Sequence, residues 1–230
     1  IHWRDWSSDV CSSDLCWSVA TPAAAAVVNV GPADDVEAAI NAAQPGDEIV
    51  LADGEYMLGD RFGVTIAGTE GAPIIIRAAD GASPLLHRPN ADQNIIDIDS
   101  ATWAEIRGIR FQGGSAGVRI TAADHLTIEG CEIFGTADVA LRANDGGAVY
   151  QSLHVVGNHI HDTNGTGEGM YLGCNENACQ VVGGVIERNW VHHTNQPGIS
   201  QGDGIELKEG SHGNVIRDNV VHDTNYPCIL

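Results

Sequence analysis

Three observations predict an all-β solenoid, a parallel β-helix, for most of this 230-residue chain. Four segments superpose: 126–136, 153–163, 185–194 and 214–224, each an apolar alternation that passes through a Cys or Asn and closes on Thr. The marker residues Cys131, Asn158, Asn189 and Asn219 lie 27, 31 and 30 residues apart, a fixed interior with length changes left to loops. Phe134, His161, His192 and His222 follow the markers by three places, and Thr136, Thr163, Thr194 and Thr224 by five. Identical polar residues recurring once per turn suit stacked parallel strands, because each Asn amide then bonds the one above and below. Helical repeats would show a 3.6-residue period, and none is visible.

The elements follow in order. Residues 1–15 have neither amphipathic period nor turn logic, and resemble adapter-derived sequence found at the ends of unrelated metagenomic reading frames. Residues 16–26, small and Ala-rich, read as the tail of a secretory signal, which places the mature protein outside the cytoplasm; a flexible terminus is the alternative. The expected division is therefore 1–26 outside the fold and 27–230 as one β-helix domain. Val27–Val30 reads as a strand, and Asp34–Ala43 as a short helix with acidic residues in its first turn. An open solenoid end exposes unpaired strand edges, and this helix is the expected N-terminal cap. Residues 73–77, 95–98 and 103–111 supply early turns, and Gly108 is expected to begin the marker column. A second, shorter strand precedes each repeat: 117–120, 139–142, 169–172 and 204–208. The chain stops at Cys228-Ile-Leu230, inside what should be another short strand, so a C-terminally truncated solenoid is expected.

Short strands in turns of roughly 20 to 30 residues resemble those of right-handed parallel β-helix proteins, the superfamily of pectate lyases and related polysaccharide lyases. The resemblance covers most of Val27 to Leu230. It implies a right-handed coil and a secreted or periplasmic protein acting on a polysaccharide, expected to be monomeric.

Composition narrows the partners. Eleven Lys and Arg face 31 Asp and Glu, a net charge of −20, so phosphate backbones and anionic membranes are repelled. No run of 18 apolar residues is present, so no membrane span is expected. An acidic polysaccharide would be repelled too, unless a cation or a local basic patch intervened. Cys131 occupies the Asn column and should be a buried thiol. Cys174 and Cys179 flank a short loop and would close a small disulfide; a metal pair is the alternative, but no nearby His completes a zinc site.

Alternation along the short strands puts Arg119, Ala140, Tyr171 and Glu206, then Thr121, Arg142, Gly173 and Lys208, on the outer face. Glu168 and Asp203 stand just before their strands. Both signs of charge thus gather on one face bordered by loops of unequal length, the geometry of a groove. The run Asp203-Gly-Ile-Glu-Leu-Lys208 resembles a stretch of Ca²⁺-dependent pectate lyases. That resemblance implies Lys208 as the base at C5 of a uronic acid, Arg142 stabilising the enolate-like transition state, and Ca²⁺ on Glu168 and Asp203. Arg119, Tyr171 and Glu206 would contact substrate. Two other readings remain: a glycoside hydrolase using Asp203 with Glu206 or Glu168, and a non-catalytic, carbohydrate-binding or adhesin β-helix. The file His161, His192, His222 reads as a structural stack rather than a row of metal ligands.

Overall fold

The computed structural model describes residues 24–230. The expectations for residues 1–23 lie outside it. Backbone pairing begins at Ala26, whose carbonyl accepts from Glu48 N–H (2.8 Å) and whose N–H reaches Asp47 Oδ1 (2.8 Å), one residue earlier than the expected boundary.

Every ladder between named strands is parallel, and each full coil presents three faces. The first face stacks the short strands Ile96–Ile98, Val118–Ile120, Leu141–Ala143, Met170–Leu172 and Ile205–Leu207. The second stacks 101–107, Ala123–Glu129, His154–Val156, Val185–Glu187 and Val215–Arg217. The third is a seven-stranded sheet that includes Glu132–Phe134, His159–His161, Trp190–Thr194 and Val220–Thr224. Strand Ile96–Arg107 runs through both of the first two faces and joins them into one sheet.

The corners have a common backbone solution. Between the second and third faces, Gly108, Gly130, Gly157, Arg188 and Asp218 share one column, all with φ between 55° and 67°. Only a left-handed residue turns the chain this sharply while the next N–H still pairs with the coil beside it. Gly108 therefore belongs to the corner, and Ile109, paired beside Cys131, heads the marker column instead.

The marker column is an asparagine ladder. Asn158 Oδ1 accepts from Cys131 N–H (2.9 Å), while Asn158 Nδ2 donates to Asn189 Oδ1 (3.0 Å) and to the Ile128 carbonyl (2.9 Å). Asn189 repeats the pattern with Asn219 and Val155. Asn158 and Asn189 are each 1% exposed, so these bonds satisfy backbone groups that water does not reach. Cys131 is a buried free thiol, as expected, and burial pushes its pKa up to about 12. The Thr column closes the next corner. Thr136, Thr163 and Thr194 are fully buried and donate to the carbonyls of Asp138, Gly167 and Gly202, pinning loops of different length to one position.

Inside the coils lies a continuous apolar core of Ile, Val and Leu, running from Val30 to Ile205. The cap is the helix Val36–Ala42, with Asp35 as N-cap and Val36 and Ile40 buried beneath it. Its polar side chains occupy the open edge of strand Gly63–Ala67. Asn41 Nδ2 donates to the Gly63 carbonyl (3.0 Å), and Asn41 Oδ1 accepts from Thr65 N–H (2.9 Å). Asn41 thus stands in for the strand that a further coil would supply. Cys174 and Cys179 form a disulfide within their loop, the expected pairing.

Candidate functional site: an outer groove on the short-strand sheet

The register of the short strands differs from expectation in one coil. Leu141–Ala143, not 139–142, pairs with Val118–Ile120 and Met170–Leu172. A shift of two residues preserves which side chains face outward, so alternation alone does not detect it. The outer file is therefore Asp97, Arg119, Arg142, Tyr171 and Glu206, with Arg142 directly between Arg119 and Tyr171. Ala140, expected in this file, is fully buried one place before the strand.

The two arginines differ in how they are paired. Arg119 is bound by Asp145 (2.6 Å) and lies near Asp97 (3.6 Å). Arg142 has no carboxylate partner among the described residues, and its buried Nε makes no hydrogen bond. It lines a cleft of about 320 Å³ with Arg61, Asp92, Gln93, Asn94, Asp97 and Ser115. In a chain of net charge −20, an uncompensated guanidinium at a cleft is a point where an anionic group is welcome.

Further along the file, Lys208 Nζ sits 4.6 Å from the centre of the Tyr171 ring and pairs with Glu206. Burial pulls the Lys208 pKa down, but the hydrogen bond and charge of Glu206, with help from Tyr171, turn it above the ordinary value. Burial likewise raises the Tyr171 phenol, although Lys208 opposes the shift. Glu206 is only 2% exposed. It pairs with Lys208 and presents little surface of its own to the groove.

Glu168 and Asp203 occupy equivalent places two residues before their strands, on adjacent coils, and are each 1% exposed. Burial raises both carboxyl pKa values, with the charge of Glu206 adding to Glu168 and that of Glu168 adding to Asp203. Glu168 Oε2, Asp203 Oδ1 and Glu206 Oε2 are all buried without a hydrogen-bond partner. Three neighbouring buried carboxylates with unmet oxygens are costly unless a proton or a cation joins them. The all-oxygen donor set suits a hard divalent ion such as Ca²⁺. These oxygens do not form a set of three within 4.8 Å of one another, a looser arrangement than a closed cage.

A family model of the Pel9A-like right-handed β-helix region matches residues 18–224. The chain belongs to this family. Among solved structures of similar fold is an alginate lyase from Paenibacillus sp. str. FPU-7, with a TM-score of 0.71 at 23% identity over 84% of this chain and 65% of that one. Another is the pectate lyase Pel9A, with a TM-score of 0.64 at 18% identity over 86% of this chain and 64% of that one. The chain thus spans less than two thirds of either protein's length. No curated protein matches it in sequence. The matched stretch takes in every coil in which the marker and Thr columns recur.

Within the Pel9A-like coil, sequence reasoning missed a further left-handed column, Trp103, His125, Ser152, Gly183 and Gly213, all with φ between 44° and 67°. Trp103 stacks on His125 at 3.8 Å. Residue type marks only the last two members of the column, Gly183 and Gly213; Trp103, His125 and Ser152 share no chemistry with them, and only the backbone angles agree.

Proposed function

We propose that the groove of this Pel9A-like protein binds an acidic polysaccharide and cleaves it by β-elimination, as an extracytoplasmic lyase of polyuronates. The observation that carries the reading is the single face on which the unpaired Arg142, the Lys208–Tyr171 pair and the buried carboxylates Glu168, Asp203 and Glu206 follow one another. The names of the two similar structures, an alginate lyase and a pectate lyase, support polyuronates as the substrate class.

Elimination requires three things: a neutralised carboxylate at C5, a base for the C5 proton, and charge stabilisation for the enolate that results. Arg142 meets the carboxylate and then the enolate, since its guanidinium is not spent on an internal partner. Arg119, held by Asp145, orients the neighbouring sugar. Lys208 takes the C5 proton; the enolate then collapses to a C4–C5 double bond as the C4–O bond to the departing sugar breaks, and that oxygen leaves with a proton taken from solvent. Tyr171 beside Lys208 contacts the sugar and shields the amine from water. Glu168, Asp203 and Glu206 would hold Ca²⁺, which would meet their unmet oxygens. When bound, such an ion supplies positive charge that offsets the uronate and makes the C5 proton more acidic.

The near-complete burial of Glu168, Asp203 and Glu206 argues against a hydrolase, because its two carboxyl groups must reach the scissile bond. The test is turnover of polyuronates with Ca²⁺, followed by ultraviolet absorbance of the unsaturated product. Lys208→Ala and Lys208→Arg should both abolish product while the folded state persists; guanidinium stays protonated and cannot replace the amine. Undiminished elimination in either variant would remove Lys208 as the base.

A further inference from the structure

The third face of the coil carries six of the chain's ten histidines: His87, His159, His161, His192, His193 and His222. Part of this is packing. Phe134, His161, His192 and His222 stack ring on ring with centroids 5.2 Å apart. Stacking does not explain the groups that converge at the start of the file. Glu132 Oε1 lies 3.2 Å from His161 Nε2 and 3.6 Å from His159 Nδ1. Among the described residues, this is the one group of three His, Cys, Asp or Glu side chains whose ligand atoms all fall within 4.8 Å of one another. Metal–ligand bonds of about 2.0–2.1 Å at tetrahedral angles put ligand atoms roughly 3.3–3.4 Å apart, and the observed spacings bracket that value.

The far side of each of these groups is already held. Glu132 Oε2 accepts from Arg110 Nε (2.5 Å), His161 Nδ1 is bonded to Asp162 Oδ2 (2.8 Å), and His159 Nε2 meets His192 Nε2 (2.8 Å). Asp162 sits in a left-handed corner, φ 56°, which turns its carboxylate back onto the histidine before it. With Nδ1–H of His161 given to Asp162, a neutral ring turns its Nε2 lone pair toward Glu132 Oε1 (3.2 Å), where a metal ion takes the place of the proton that otherwise joins the two. Outer groups that fix the tautomer and direction of each ligand are the usual company of a metal-binding histidine.

We infer that Glu132, His159 and His161 form a binding site for a divalent first-row transition ion of the Zn²⁺ type, clipping two adjacent coils together on a different sheet from the groove. Mixed imidazole and carboxylate donors select such an ion over Ca²⁺, which takes oxygen ligands. A solvent molecule completes the coordination, since the three side chains are only partly buried.

The experiment is calorimetric titration of the full chain with Zn²⁺, after chelator treatment and alkylation of free thiols, in excess Ca²⁺. One saturable site per chain is expected, together with a rise in the thermal midpoint. His159→Gln and His161→Gln should each weaken binding at least tenfold. Asp162 bonds the far nitrogen of His161 (2.8 Å), lies near His193 (3.6 Å) and touches no ligating atom of the proposed set, so Asp162→Asn should weaken binding about tenfold to a hundredfold. His222→Gln, in the stack but outside the trio, should leave it unchanged. Circular dichroism establishes that each variant is folded. The absence of a saturable site, or affinity that survives His159→Gln and His161→Gln, overturns the assignment. Equal losses with His222→Gln would also overturn it, as the mark of a loose surface patch of imidazoles.

Discussion

Replacing Asn158 by Leu tests the ladder that holds the coils in register. The two side chains have the same number of heavy atoms branched at the same carbon, so no cavity is opened. What is lost is chemical. The Cys131 N–H loses its acceptor, and the Ile128 carbonyl loses the amide that reaches it, at 2.9 Å each. The oxygen of Asn189 keeps its bond from the Asn158 backbone N–H and is less affected. Two backbone groups left unsatisfied where the residue is 1% exposed cost about 1–3 kcal/mol each, so about 2–6 kcal/mol in all. That is a large part of an ordinary domain's stability, about 5–15 kcal/mol. Urea unfolding followed by far-ultraviolet circular dichroism reads it as a fall in midpoint. Asn219→Leu is the internal comparison. Its position is half exposed, water replaces part of what is lost, and the penalty should be clearly smaller. A loss below about 0.5 kcal/mol at Asn158, the range of ordinary surface changes, would show that the ladder accompanies the coil without stabilising it.

Three further outcomes are expected. Cys131→Asn extends the ladder by one rung, because the thiol already lies 3.7 Å from the Ile106 carbonyl where an amide would donate; urea unfolding should show unchanged or raised stability. Alkylation of the native, unreduced protein should label Cys228 quickly and leave Cys131, Cys174 and Cys179 unlabelled, as mass mapping would show. The backbone N–H groups of Gln44 and Ala26 hold Asp47 below its ordinary pKa of 3.8, so the unfolded chain binds its proton first as pH falls. This residue's stabilisation is present above pH 3.8 and disappears as pH drops through the lowered value. Thermal midpoints of wild type and Asp47→Ala should therefore differ near neutrality and converge in acid.

The fold was legible because its signals repeat. Asn158, Asn189 and Asn219 are conspicuous in sequence for the physical reason that each serves the coil beside it. The outward set of the groove was legible for a weaker reason: alternation has period two, so the error of two residues at Arg142 did not move it to the other face. Burial was not legible. Glu206 alternates outward yet is buried and paired with Lys208, and only packing reveals it. The trio Glu132, His159 and His161 was hidden because its members come from two columns and two coils, whereas a search down one column finds only the stacked rings.

Product chemistry bears most directly on the central claim. Protein incubated with alginate and with polygalacturonate, with and without Ca²⁺, is followed by ultraviolet absorbance at the wavelength of unsaturated uronides and by mass spectrometry of the oligosaccharides. The account predicts unsaturated ends on at least one polyuronate, lost in Lys208→Ala. Saturated ends carrying an added water would contradict it, as would no cleavage of any polyuronate by a protein whose circular dichroism shows the folded coil.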